Sequence, residues 1–181
     1  VAQRTLQDIR VQYIADDGRR FLYANPEKKY DLIFIDPLYS FTTGHNNLYS
    51  REAMALYQSH LNKGGVFCGW FNERHVIPKT AASVFPHVTK FREWLVAGNE
   101  PLHFDLEYIK SASAKYLENS TGLYTDTITV PLDPAAIFDE HVANRECILA
   151  NEESTPILMD TAPWLEYYYF HKPIEKRISC P

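Results

Sequence analysis

The run DLIFID, Asp31 to Asp36, constrains this chain more than any other six residues. Leu32, Ile33, Phe34 and Ile35 form an unbroken apolar stretch of the kind that a parallel sheet buries on both faces. Asp36 closes the run, and Pro37 follows at once. A carboxylate at that point suits the carboxyl end of a strand in an open α/β sheet, where ligand crevices form.

The flanking segments supply the rest of such a sheet. VQYIAD, Val11 to Asp16, is short, β-branched and aromatic, and reads as a strand ending in the turn signal Asp16-Asp17-Gly18. RRFLYAN makes a short helix stopped by Pro26. A polar loop from Thr42 to Asn47 follows DLIFID and is long enough to carry function. Ser50 reads as a helix N-cap with Glu52 in the first turn, where the dipole favours an anion. Met54, Tyr57 and Leu61 recur at helical spacing, and Gly64 sits where a C-terminal cap belongs. GGVFCGWF reads as the next buried strand. Pro78 opens a helix that Pro86 ends. KFREWLVAG alternates like a strand, and Asp133-Pro134 starts a helix carrying Ile137, Phe138, Val142 and Leu149. Strands alternating with helices predict an α/β domain with a mainly parallel sheet.

Composition excludes several classes. The 181 residues, 45% of them apolar, suit one domain over 1–181 with a sizeable core, and no run is long enough to span a membrane. The polar start VAQRTLQDIR is not a signal peptide. Cys68, Cys147 and Cys180 show no metal-like spacing and predict reduced thiols in a cytoplasmic protein. The seven histidines lack H-x-x-x-H or H-E-x-x-H spacing, so no metal site is expected. A net charge of −5 argues against nucleic acid and agrees with a cationic substrate.

Three segments in order carry a resemblance. VQYIADDGRRFL, YDLIFIDPL and LYSREAMALYQSHLNKGGVFCGW, with a looser match at APWLEYYYF, resemble the spermidine synthase family of polyamine aminopropyltransferases, in particular its divergent bacterial members. The match covers the first half of the chain and part of its end; residues from about 90 to 151 contribute nothing to it. The resemblance implies the Rossmann-like fold of class I S-adenosylmethionine-dependent methyltransferases. It also implies decarboxylated S-adenosylmethionine or S-adenosylmethionine as co-substrate. Asp17 and Gly18 would contact the nucleoside, Asp36 would be the catalytic acid-base residue, and Pro37 and Leu38 would complete the cofactor rim. Tyr39, Tyr49 and Glu73 are candidate contacts for a polyamine-type amine, and Trp70 offers another ring face to a cation.

The chain departs from that family in two ways. Nothing like G-x-G-x-x-G occurs, and the family's glycine-rich loop lies upstream of the Asp-Gly strand. The expectation is therefore a C-terminal part of a longer protein, lacking central strands, whose sheet a preceding segment or a second copy would complete. Secondly, Pro37, Leu38, Tyr39 and Ser40 stand where the family carries a further acidic residue for the diamine.

Each candidate also has a plainer reading. Asp36 before proline can start a turn, and Asp17-Gly18 is an ordinary turn pair. His45, Asn46 and Asn47 fit a solvated loop, Glu73 a helix start, Cys68 a small buried hydrophobe, and the aromatics from Trp164 to Phe170 core packing. Two other functions stay open. IDPLY is close to the D-P-P-Y motif of enzymes that methylate amino groups with S-adenosylmethionine, although Leu38 replaces its second proline. A catalytically silent binding or assembly domain of the same fold would also lack the glycine-rich loop.

Overall fold

Asp17 and Ser50 each start a helix, and these two caps fix the ends of the region that matters most. The computed structural model describes residues 8–37, 44–71, 73–91, 93–105, 107–109, 111–112 and 142–165. Helix α1 (Gly18–Ala24) begins at Asp17, whose carboxylate accepts from the Arg20 N–H at 2.8 Å. It buries Leu22 and ends at Asn25, before Pro26. Strand β1 (Tyr30–Ile35) follows, then the short helix α2 (Asn46–Tyr49). Helix α3 (Arg51–Ser59) starts at Ser50, whose hydroxyl accepts from the Ala53 N–H at 3.2 Å, and it buries Ala53, Met54, Leu56 and Tyr57.

Strand β2 (Leu61–Trp70) leads to helix α4 (Val76–Val84), then to β3 (His87–Phe91) and β4 (Trp94–Gly98). Strand β5 (Val142–Asn144) feeds helix α5 (Arg145–Asn151), where the Asn144 side chain accepts from the Cys147 N–H at 2.9 Å. Among the described residues these five strands form an open mixed sheet in the order β1-β2-β4-β3-β5. This is an α/β fold, compatible with a Rossmann-like arrangement.

One face of the sheet carries the core. Phe67 of β2 lies level with Ala97 of β4, and Ala97 with Val88 of β3. All three are buried with Tyr49, Met54, Tyr57, Ile77, Phe85 and Ile148 in a single cluster. The segment after α5 is bound onto this layer. Lys79 Nζ donates to the carbonyls of Glu152, Glu153 and Thr155 at 2.6–2.8 Å, and His75 Nδ1 meets the Glu152 carboxylate. Leu158 is fully buried; its N–H donates to Thr80 Oγ1, and its carbonyl accepts from the Arg51 N–H.

Several expectations are corrected. The sheet is not mainly parallel: β1 and β2 are parallel neighbours, whereas β4 runs antiparallel to both β2 and β3, and β5 antiparallel to β3. The KFREWLVAG stretch is not one strand: it holds the end of β3 and all of β4, which pair antiparallel, so its alternation runs through a reversal of the chain. Val11 to Asp16 forms no strand; Val11, Tyr13 and Ile14 are exposed, since a β pattern without a ladder partner gains no hydrogen bonds. Strand β1 is not buried on both faces: Leu32 is 55% and Phe34 51% exposed.

Helix α3 stops at Ser59, so Leu61 opens β2, and Gly64, with φ +72°, lies inside that strand rather than capping the helix. Val142 is in β5, while Leu149 is in α5. The helix start at Asp133-Pro134, with Ile137 and Phe138, lies outside the described residues. Cys147 is disulfide-bonded, against the expectation of reduced thiols, whereas Cys68 is free and half-buried. Spacing along a chain does not reveal which distant cysteines meet.

Candidate functional site

Asp36 follows the last residue of β1, and the parallel pairing with β2 sets its position. Ile33 lies level with Phe67, Phe34 with Cys68 and Ile35 with Gly69, so the carboxyl ends of both strands open on the same rim. Asp36 is exposed there, as the end of a strand facing a crevice should be. Helix α1 begins on the same side. Gly18 and Arg19 at its start, with Phe21 and Leu22, form one wall of a groove of about 500 Å³. Tyr30 and the run from Leu32 to Pro37 form the opposite wall, and Leu48 and Tyr57 also line it. A volume of this size falls within the ordinary range for small-ligand pockets, and the lining is largely apolar with few polar groups. Asp17 lies just outside it, in a second, polar hollow of about 360 Å³ shared with Arg19, Arg20, Tyr23 and Asn47.

The structure therefore gathers Gly18, Asp36 and Pro37 into one groove and Asp17 into the hollow beside it. Asp17 is partly engaged, since its carboxylate caps α1. Leu38 and Tyr39 lie outside the described residues. Tyr49 is fully buried, and its hydroxyl donates to the Trp70 carbonyl at the end of β2. Burial above all, then Tyr57 and Asp36, push the Tyr49 hydroxyl pKa up, so it stays a neutral donor while Asp36 stands within electrostatic reach. Its ring is core rather than groove lining.

Glu73 sits past β2 in a different setting. It is buried, and its Oε2 accepts from the N–H groups of His75, Val76 and Ile77 at 2.6–3.1 Å. That carboxylate holds the start of α4, where the helix leaves donors unpaired. Trp70 is half-buried at the end of β2. His45 is half-buried and Asn47 exposed, but Asn46 is fully buried with its Nδ2 on the Met159 carbonyl. Trp164 packs against the core, and the aromatics after it lie outside the described residues.

Two groove residues, Arg19 and Tyr57, and one that binds the groove wall, Asp160, are not singled out by the sequence. Arg19 directly follows the Asp17-Gly18 pair, a signal that was legible. Tyr57 reads from its spacing as helix core, yet it also faces the groove. Its hydroxyl donates to the Leu48 carbonyl at 3.2 Å, and burial raises its pKa despite the opposing charge of Arg19. Asp160 binds Arg19 from 141 residues away, and no local pattern points to it.

No family model and no curated protein matches this sequence. Among the described residues no group of histidine, cysteine, aspartate and glutamate is arranged to hold a metal ion. No helix among them is long and apolar enough to cross a membrane.

Proposed function

We propose that this chain carries the nucleoside-facing wall and the catalytic carboxylate of an aminopropyltransferase-type site. In this reading the aminopropyl group passes from decarboxylated S-adenosylmethionine to an amine of polyamine type. The observation that supports it is the meeting of Gly18, at the start of α1, and Asp36, at the end of β1, along one groove. The two residues come from separate elements, and each was singled out by a different sequence motif.

The chemistry gives each wall a task. The apolar side chains of Phe21, Ile33 and Leu48 suit the faces of a nucleobase. The amine arrives as an ammonium and must lose a proton before its lone pair can attack. The new C–N bond forms on the methylene carbon as the C–S bond breaks, and the electron pair goes to sulfur, leaving neutral 5′-methylthioadenosine. Asp36 accepts the proton and offsets the positive charge that grows on nitrogen. No metal and no protonation of the leaving group are needed for that balance.

Replacing Asp36 by asparagine keeps the shape and removes the base. Turnover in Asp36→Asn should fall by about 10²–10⁴-fold, while 5′-methylthioadenosine affinity stays within a factor of about three. Near-normal turnover would take Asp36 out of the mechanism. Calorimetry that favours S-adenosylmethionine over its decarboxylated form would redirect the reading to methyl transfer.

A further inference from the structure

Arg19 lines both the apolar groove and the polar hollow beside it, so its side chain is a partition between them. That partition is held from far away. Arg19 Nη1 donates to Asp160 Oδ1 at 2.8 Å and Nη2 to Oδ2 at 2.6 Å, a two-pronged pair, and Nη1 also donates to the Asn47 carbonyl at 2.8 Å. The Arg19 side chain is 14% exposed and that of Asp160 35%. Asp160 is not on a loose loop. Its own N–H donates to Glu52 Oε2, the preceding Met159 carbonyl accepts from Asn46, and Leu158 is bonded to Thr80 and Arg51.

A free guanidinium beside a nucleoside groove would be a hook for phosphate, because its fork matches two anionic oxygens. Here a carboxylate of the protein already fills the fork. The pairing pulls the Asp160 pKa down, and it keeps Arg19 charged. Arg20 is likewise paired, with Asp16 at 2.6 Å. Among the described residues, the charged groups lining the two hollows, or paired with those that do, are Asp16, Asp17, Asp36 and Asp160 against Arg19 and Arg20.

We propose that the Arg19–Asp160 pair sets ligand charge at this site, so that the groove takes nucleosides with a neutral or cationic 5′ group and rejects 5′-phosphates. The inference rests on the nucleoside reading of the groove. Asp160 acts through Arg19 and is a positioning residue.

The test uses the full chain, with 5′-methylthioadenosine and adenosine 5′-monophosphate as probes in calorimetry at low salt. The wild-type chain should bind the thioether and bind the phosphate about tenfold more weakly. Asp160→Asn frees the guanidinium and should raise phosphate affinity roughly fivefold, a gain that salt suppresses. Arg19→Gln/Asp160→Asn should lose that gain. A merely structural role would weaken both probes together and produce no gain. Asp160→Asn that still binds the thioether with unchanged phosphate affinity overturns the pair's role. Wild-type chain that binds neither probe overturns the nucleoside reading itself, and this inference with it. Should Asp160→Asn fail to fold, Arg19→Gln decides. Unbalanced Asp160 should then weaken the phosphate roughly fivefold more than the thioether, and equal effects on both overturn the pair's role.

Discussion

Phe67 and Phe34 lie on adjacent parallel strands and meet opposite fates. Phe67 is 1% exposed, stacked between Tyr57 at 5.4 Å and Phe85 at 5.9 Å. Phe34 is half exposed and stacks on Trp94 at 5.8 Å. Both residues have the same side chain and the same extended backbone. The difference is the layer above them: helices α3 and α4 cover the face on which Phe67 points, while the face of Leu32 and Phe34 is open. Apolar strand residues stabilise only where another element completes their surroundings. The groove lies at the boundary between these regions, with β1 as one wall and α1 as the other.

The contrast predicts a graded series of substitutions. Phe67→Ala should cost about 3–5 kcal/mol in denaturant unfolding, as expected for emptying a packed aromatic site. A loss below about 1 kcal/mol would erase the distinction between the two regions. Gly65→Ala tests the seam between them, because an added Cβ would stand 2.7 Å from the Tyr30 carbonyl oxygen and 3.1 Å from the backbone of Asn62. Neither neighbour is a flexible side-chain end, so β1 must shift from β2 at a cost of about 1–3 kcal/mol. Unchanged stability would mean that the start of β1 contributes nothing to the sheet.

The Arg19–Asp160 pair should matter less to stability, since Asp160 is partly exposed. The guanidinium bond lowers the Asp160 pKa below its ordinary 3.8. The pair's contribution, about 1 kcal/mol or less, is thus present above that pH and disappears as pH falls through the lowered folded-state value. Unfolding of wild type and Asp160→Asn, compared between pH 5 and pH 2.5, should converge toward the acid end; a constant difference would contradict the linkage. The smallest effect belongs to Phe34→Ser, within about 0.5 kcal/mol. A larger loss would show that this face is covered.

What the sequence made legible was local. Ser50 could be read as a cap because its bond lies within three residues of itself, and DLIFID could be read as a strand from six adjacent side chains, whereas Asp17, read as a turn residue, proves to cap α1. The sense of pairing was not legible, because β4 runs antiparallel to β3 although its sequence looks like a continuation of that strand. Val11 to Asp16 has a strand's composition, but a strand also needs a neighbour to complete its ladder. The candidate site divides in the same way. Asp36, Gly18 and Asp17 were readable from motif and position, whereas Asp160 and the groove-facing role of Tyr57 come from chain segments brought together by folding.

The central claim is that the groove between α1 and β1 receives a nucleoside. Backbone amide chemical shifts during titration with 5′-methylthioadenosine test it residue by residue. The account predicts saturable shifts at Gly18, Arg19, Asp36 and Leu48, with little change at Val88 and Ala143 toward the opposite edge of the sheet. Shifts confined to that opposite edge, or none at millimolar ligand, roughly −4 kcal/mol of binding free energy, would contradict it.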